Sequence, residues 1–196
     1  MNQFTSFIFY GAMLAIGSCA STGKQEETTI KASKDPKYNS LNQGTRYVIY
    51  VANKDAVQTD ASTEIEDRIK ESLSEKGMVL VAFDQNELAN ILRNDGKVSE
   101  SQAKLVSSAA DIIVTGRYRE ERLEDKAINA SGTFRTRIRL SVAVTESNSA
   151  IERGRFQETC EELANSFELA ATHAAVTCGD KVALRVVDKL LYIYEK

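Results

Sequence analysis

Histidine is almost absent from this chain, and tryptophan is absent altogether. His173 is the only histidine among 196 residues. One imidazole cannot form a multi-histidine metal site, and a histidine–carboxylate relay has only this one position to start from. His173 lies between Thr172 and Ala174 in a helical pattern, so we interpret it as a surface or interface residue of that helix.

Two motifs that are common in enzymes are missing as well. The segment after the first predicted strand, Asn53–Val57, has no glycine and cannot form a glycine-rich phosphate loop. There is no Gly-x-Ser-x-Gly nucleophile elbow, and Cys160 has no obvious base beside it. The acidic pairs Glu120-Glu121 and Glu161-Glu162 are interpreted as solvated charge. We therefore expect no enzymatic activity, no metal and no cofactor.

Positive charge is not in excess. The formal net charge of −3 gives no overall field that would favour nucleic acid, so we expect no nucleic-acid partner. A hydrophobic content of 42% is typical of a globular chain. The length suits one domain with a real core.

The N-terminus carries the most specific signal. An apolar run from Phe4 to Ala15 is followed by Ile16-Gly17-Ser18-Cys19, which looks like a bacterial lipobox. The run is shorter than the roughly 20 apolar residues that a membrane span needs. We therefore predict cleavage before Cys19 and a diacylglycerol on its thiol, although the n-region has no Lys or Arg. A plain cleaved signal or an uncleaved anchor is the alternative.

The predicted domain organisation follows from that junction. Residues 1–18 form a lipoprotein signal peptide, residues 19–44 are the lipidated Cys19 with a polar, flexible tether, and residues 45–196 form a periplasmic α/β domain. Ala20 after Cys19 is compatible with sorting to the outer membrane. The expected location is the outer membrane, with the lipid-anchored domain facing the periplasm.

Cys160 and Cys178 remain after Cys19 is lipidated. An even number of cysteines in an oxidising compartment favours a disulfide, and two unpaired thiols are the alternative. On one continuous helix the two residues would lie about 27 Å apart. A bridge therefore requires the chain near Glu161–Asn165 to fold back as a loop.

Hydrophobic patterning changes from helix-and-strand alternation to consecutive strands along the chain. Strands are predicted at Tyr47–Ala52, Met78–Phe83, Ile112–Tyr118, Phe134–Thr145 and Ile151–Phe156. Helices are predicted to begin at the capping pairs Thr63/Glu66, Asp84/Glu87, Ser99/Gln102 and Asn165/Glu168, and Gly179 is a candidate break in the last helix. Residues 120–132 are predicted to be an exposed hairpin loop. The order β-α-β-α-α-β-β-β-α indicates an α/β fold with a single mixed β-sheet and helices packed on it, after the signal peptide and tether.

Arginines recur on one face of the predicted hairpin. Period-two spacing places Arg135, Arg137 and Arg139 together, and Arg117 and Arg119 share a face of the preceding strand. If the two faces coincide, the five side chains form a patch suited to carboxylates or phosphates, such as those of a partner protein, an anionic glycan or lipid phosphate. The alternative is a solvated face neutralised by nearby acidic residues: Glu120, Glu121, Glu152 and Glu158.

Four segments resemble the LpoB, CsgG and FlgO group of bacterial envelope lipoproteins. They are residues 47–53, 73–81, 109–116 and 140–145, within a resemblance that covers about Tyr47 to Phe156. The resemblance implies an anticodon-binding-domain-like α/β fold. It also implies a non-catalytic, membrane-anchored protein that binds and scaffolds or activates an envelope machine, for example in the regulation of a peptidoglycan synthase. The alternative it implies is a subunit of an outer-membrane secretion or flagellar ring, which would be a homo-oligomer.

Overall fold

The fold is one sheet with a parallel and an antiparallel half, seen in a computed structural model that describes residues 44–95 and 97–194. The strands are β1 (Arg46–Asn53), β2 (Val79–Leu80), β3 (Ile112–Leu123), β4 (Phe134–Glu146) and β5 (Glu152–Ala164). The helices are α1 (Asp60–Glu75), α2 (Gln85–Arg93), α3 (Glu100–Ser107), the one-turn α4 (Lys126–Asn129) and α5 (Phe167–Tyr194). The predicted α/β class and order of the main elements are confirmed, with α4 added between β3 and β4.

Crossover connections and hairpins set the strand order. The five strands lie in the order β2-β1-β3-β4-β5. β1 pairs in parallel with β2 and β3, whereas β3–β4 and β4–β5 are antiparallel. The helical crossovers between the first three strands make them parallel, as predicted.

Helices cover one sheet face almost completely and the other only in part. α1 and α5 pack on the first face, where Ile65, Ile69, Cys178 and Val182 meet strand residues such as Val114 in the larger core. α2 and α3 pack on the second face, and they cover β1 and the start of β3 in a smaller core. The rest of the second face, on β3, β4 and β5, carries the arginines.

β3 and β5 are longer than predicted. β3 continues to Leu123 through residues assigned to a loop, and β5 continues to Ala164 instead of ending at Phe156. The loop assignment of residues 120–132 was therefore wrong for its first part. Acidic and basic side chains on these strands face each other across the ladder, and this pairing supports strands that have few apolar residues.

β2 is shorter than the predicted strand Met78–Phe83. Only Val79 and Leu80 pair with β1, and each is 48% exposed. Val81 and Phe83 instead pack against the smaller core. The apolar run therefore reflects contact with the core and not a longer strand.

The first and last helices begin at different residues from those predicted. The capping box of α1 is formed by Thr59 and Ser62, so Thr63 lies inside the helix. At α5, Ser166 Oγ accepts a hydrogen bond from Leu169 N, in place of the predicted Asn165. The predicted box at Ser99 and Gln102 is present at α3.

α5 runs without a break through Gly179. A methyl group at Gly179 would lie 3.0 Å from Arg68 Cβ and 3.3 Å from Ile65 Cα on α1. The glycine therefore permits close contact between two helices and does not end one. Among the residues that the structure describes, no helix is both long and apolar enough to cross a membrane.

A buried carboxylate closes part of the free edge of β1. Glu66 on α1 is only 5% exposed, and its carboxylate accepts hydrogen bonds from Val51 N at 3.3 Å and from Gln58 Nε2 at 2.9 Å. Lys70 Nζ lies 3.2 Å from the other carboxylate oxygen. Glu66 was predicted to cap α1, but it satisfies a strand N–H that β2 is too short to reach.

Candidate functional site

The five predicted arginines lie on one face of the β3–β4 pair. Arg119 is directly opposite Arg139, Arg117 is opposite Ser141, Glu121 is opposite Arg137 and Leu123 is opposite Arg135. On β5, Glu161 is opposite Arg137 and Thr159 is opposite Arg139. We call the surface formed by Arg117, Arg119, Arg135, Arg137 and Arg139, with Glu121 and Glu161 between them, the arginine face.

Arg135 and Arg137 are paired with carboxylates. Glu161 accepts hydrogen bonds from Arg137 Nε at 2.6 Å and lies 2.5 Å from Nη2. Hydrogen bonding to Glu161, which outweighs desolvation, raises the pKa of Arg137 above its usual range. Arg135 lies 3.8 Å from Glu161 and 3.5 Å from Asp125. This end of the arginine face is close to neutral.

Arg119 and Arg139 are less well balanced. Both lie near Glu121, whose oxygens are 3.9 Å from Arg119 Nε and 3.2 Å from Arg139 Nη2. The same carboxylate is 3.4 Å from Arg137 Nη1, so three guanidinium groups share it. The side chains of Arg119 and Arg139 are 69% and 56% exposed.

Arg117 holds α2 against the sheet. It donates hydrogen bonds to Asp95 Oδ1 at 2.8 Å and to the carbonyl of Leu92, near the C-terminus of α2. A cation there is favoured because the last carbonyls of a helix carry partial negative charge. We therefore assign Arg117 to the structure of the domain and not to a free binding surface.

A shallow cavity of about 410 Å³ lies beside Arg119 and Arg139. Its lining combines the cationic Lys54, Arg119 and Arg139 with the neutral polar Gln157 and Thr159. Tyr118, Leu140 and Glu158 also line it, and the carboxylate of Glu158 is paired with Arg185. Within the described residues, Lys54 has no ion-pair partner. The cavity therefore offers charged and neutral hydrogen-bond donors to an anion.

Most of the acidic residues expected to neutralise the face lie elsewhere. Glu120 pairs with Arg122, Glu158 pairs with Arg185, and Glu152 pairs with Arg155. Glu121 was expected correctly, whereas Glu161 was assigned to a loop. Charged residues do not alternate cleanly in 117–123 or 155–163, so no local pattern placed these two carboxylates on strands.

Cys160 and Cys178 form a disulfide that joins β5 to α5. Their Cα atoms are 5.7 Å apart, and both residues are buried. The expected loop at Glu161–Asn165 is wrong, since β5 extends to Ala164 and the chain turns just before α5. The chain leaves β5 and returns as α5 over the same sheet face, which brings the two cysteines together.

The other positions considered in the sequence are the single histidine, possible metal ligands and the predicted lipidation site. His173 is exposed on α5, in agreement with its interpretation as a surface residue of the helix. No group of three His, Cys, Asp or Glu residues that could hold a metal occurs within residues 44–95 and 97–194. Cys19, the signal peptide and nearly all of the tether lie outside the described residues.

Comparison with solved structures shows the fold in proteins of very low identity. The chain is similar to the hypothetical protein CT253 from Chlamydia trachomatis, with a TM-score of 0.51 and 10% identity over 76% of this chain and 96% of that one. It is similar to protein XCC0632 from Xanthomonas campestris, with a TM-score of 0.50 and 9% identity over 79% and 89%. Lipoprotein GNA1162 from Neisseria meningitidis aligns with a TM-score of 0.44 and 11% identity over 74% and 99%.

Sequence comparison adds nothing to this. No family model matches the chain. No curated protein matches it either. At 10% and 9% identity, CT253 and XCC0632 share a fold with this chain and carry no information about its function.

Proposed function

We propose that this chain is a lipid-anchored, non-catalytic protein of the bacterial cell envelope whose α/β domain binds an envelope protein. The arginine face carries the proposal, because it leaves exposed guanidinium groups that share one carboxylate on an open sheet surface. Arginine is enriched where protein surfaces recognise one another. In this proposal residues 1–18 are the signal peptide, 19–44 the tether and 45–196 the binding domain.

The location proposed is the outer membrane, with the domain in the periplasm. The lipobox-like junction at Cys19 supports an anchor outside the cytoplasm. The disulfide between Cys160 and Cys178 fits the same side of the membrane, since disulfides persist in oxidising compartments. The role proposed for the bound domain is scaffolding or activating an envelope machine, such as a peptidoglycan synthase, as the resemblance of its segments implies.

Processing at Cys19 is tested by labelling cells with a fatty-acid analogue. Wild type should be labelled, whereas Cys19→Ser should remain unlabelled as an unprocessed or soluble product. A matched Ser18→Ala variant keeps the cysteine and a small residue before it, so it should still be labelled. Equal labelling of wild type and Cys19→Ser would overturn the anchor.

Partner binding is tested by crosslinking envelopes that contain the lipidated full chain and recovering it by affinity. The crosslinker joins amines or carboxylates. We expect the wild-type chain to recover a defined envelope protein after this crosslinking. Failure to recover any protein other than the bait, at crosslinker concentrations that capture a known envelope complex, would overturn the proposal.

A ring or filament subunit is the second candidate, favoured by the charge on α1. Acidic residues recur every three or four positions on the outer side of α1, which lies on the sheet face opposite the arginine face: Asp60, Glu64, Asp67, Glu71 and Glu75. Opposite charges on opposite faces suit head-to-tail contacts between copies, which close into rings or continue as filaments. Light scattering coupled to size exclusion, on the full chain in non-ionic detergent, separates a monomer from such an assembly.

A further inference from the structure

Arg119 and Arg139 form an unfavourable pair within the fold. They are directly opposite each other on neighbouring antiparallel strands. Side chains in such positions have Cβ atoms about 4.5–5.5 Å apart, and like charges there destabilise the sheet. A neutral residue at either position would relieve the repulsion, so the folded chain alone does not account for the pair.

Counter-charge within the domain is too scarce to balance this end of the face. Glu121 is shared with Arg137, which already has Glu161 as its main partner. Lys54 lies in the same cavity and has no ion-pair partner within the described residues. An excess of positive charge is therefore left beside Arg119 and Arg139.

We propose that Lys54, Arg119 and Arg139 form a subsite for an acidic segment of the partner protein, which deepens the proposed function and rests on it. Guanidinium forks pair with carboxylates through two parallel hydrogen bonds. Gln157 and Thr159 line the same cavity and supply neutral donors for the segment's remaining carboxylate and carbonyl oxygens. The bound carboxylates supply the counter-charge that the fold lacks.

The lining of the subsite favours a protein over the membrane. None of the exposed large hydrophobic side chains of the described residues lines the cavity. The apolar residues that do line it, Tyr118 and Leu140, are buried, so the cavity presents no exposed large apolar side chain to insert among lipids.

A second copy of this chain is a weaker fit than a different protein. The acidic stripe on α1 is already partly paired, since Asp67 lies 3.2 Å from Lys70 and Glu71 lies 3.5 Å from Arg68. A segment whose carboxylates are not already paired would gain more from the subsite. We therefore assign the subsite to an acidic segment of another protein.

The test measures binding of a fluorescent octaglutamate peptide to the full chain in non-ionic detergent at low ionic strength. Wild type should bind saturably, and added salt should weaken the binding. Arg119→Gln plus Arg139→Gln should weaken it by about tenfold or more, since charge-assisted hydrogen bonds are lost. The matched control is Arg68→Gln plus Arg153→Gln, which removes the same charge from exposed, carboxylate-paired arginines that do not line the cavity.

Each outcome decides the proposal. A selective loss in the Arg119/Arg139 variant supports it, whereas absent binding, or an equal loss in the control, overturns it. Phosphatidylglycerol vesicles or inorganic phosphate that bind this subsite more tightly than the peptide would overturn the protein assignment. The wild type could also form concentration-dependent oligomers that octaglutamate does not dissociate. If the Arg119/Arg139 variant lacks these oligomers, the subsite binds a second copy, and the assignment to another protein is overturned.

A stability measurement separates binding from folding. Arg139→Gln should leave the denaturation midpoint unchanged or higher, because it removes the cross-strand repulsion, while it weakens peptide binding. A lower midpoint together with unchanged binding would show that Arg139 serves the fold. If crosslinking recovers the same envelope protein with wild type and with the Arg119/Arg139 variant, the proposed function stands and only the subsite fails.

Discussion

Removing the disulfide between Cys160 and Cys178 should lower stability mainly through the unfolded chain. The bond joins residues 18 positions apart. In the chain-entropy description, a loop of this length stabilises the folded state by about 3 kcal/mol, because it restricts the unfolded ensemble. Both cysteines are buried between β5 and α5, so alanines at the two positions keep the surrounding packing apart from two lost sulfur atoms.

The assay is urea unfolding of the full chain, as wild type and as Cys160→Ala plus Cys178→Ala. With a slope of about 1.5–2 kcal/mol per molar urea, a loss of about 3 kcal/mol lowers the midpoint by about 1.5–2 M. The slope itself should rise in the variant, since an unfolded chain without the crosslink exposes more surface. Reducing the wild type should reproduce most of both changes.

Two results would refute this reasoning. Thiol counting on unfolded, unreduced Cys19→Ala protein should find no free thiol, and two free thiols would show that the bond does not form. A variant that loses less than about 1 kcal/mol, with an unchanged slope, would show that the loop does not restrict the unfolded chain as the entropy argument requires. Cys19→Ala with the other two cysteines intact is the matched control.

Three further changes test the packing of the domain. Burial, with a contribution from Glu66, raises the pKa of Tyr47 to about 12, so the folded state keeps its proton while the unfolded state loses it near pH 10. Stability should therefore be complete below about pH 10 and fall by about 2–3 kcal/mol as the pH rises to about 12, and Tyr47→Phe should reduce that fall in urea titrations. Glu66→Ala should lose about 1–3 kcal/mol because Val51 N keeps no acceptor, whereas Glu66→Gln should lose less. Gly179→Ala should lower the thermal midpoint in spite of a helix-propensity gain of about 1 kcal/mol, because its methyl group meets Arg68.

Each of these three predictions has an outcome that would contradict it. A pH profile of Tyr47→Phe that overlays the wild type would mean that this phenol is not held protonated by the fold. Glu64→Ala, on the half-exposed side of α1, is the control for Glu66, and equal losses would assign both to helix propensity. A Gly179→Ala protein with a raised melting temperature would show that α1 and α5 have room to separate.

Local patterns along the chain were enough for the order and type of the main elements. Runs of apolar residues, capping signals and period-two alternation depend on neighbours a few positions away, and they predicted the strands of the parallel half and the long β4. Period-two alternation also predicted that Arg135, Arg137 and Arg139 share a face of one strand and that Arg117 and Arg119 share a face of the other, whereas the register of the β3–β4 pair decided that the two faces coincide.

Charged strand ends and helix boundaries could not be predicted in this way. Residues 120–123 and 157–164 carry too few apolar side chains to indicate strands, and only their neighbours across the ladder stabilise them there. Thr63 and Glu66 satisfy the local capping pattern, yet the competing pair Thr59 and Ser62 caps α1 and Glu66 is needed at the edge of β1.

The sequence by itself determined the α/β class and which arginines share a face within each strand, because both follow from local spacing. Counting cysteines named Cys160 and Cys178 as a candidate pair and left two free thiols as the alternative. Only the tertiary structure decided which carboxylates neutralise those arginines and which arginines keep excess charge. That outcome depends on strand register and on the hairpin turns, which bring Glu121 and Glu161 beside Arg137 and set Arg119 against Arg139. Contacts between residues distant in sequence arise from the packed sheet, and no local pattern specifies them.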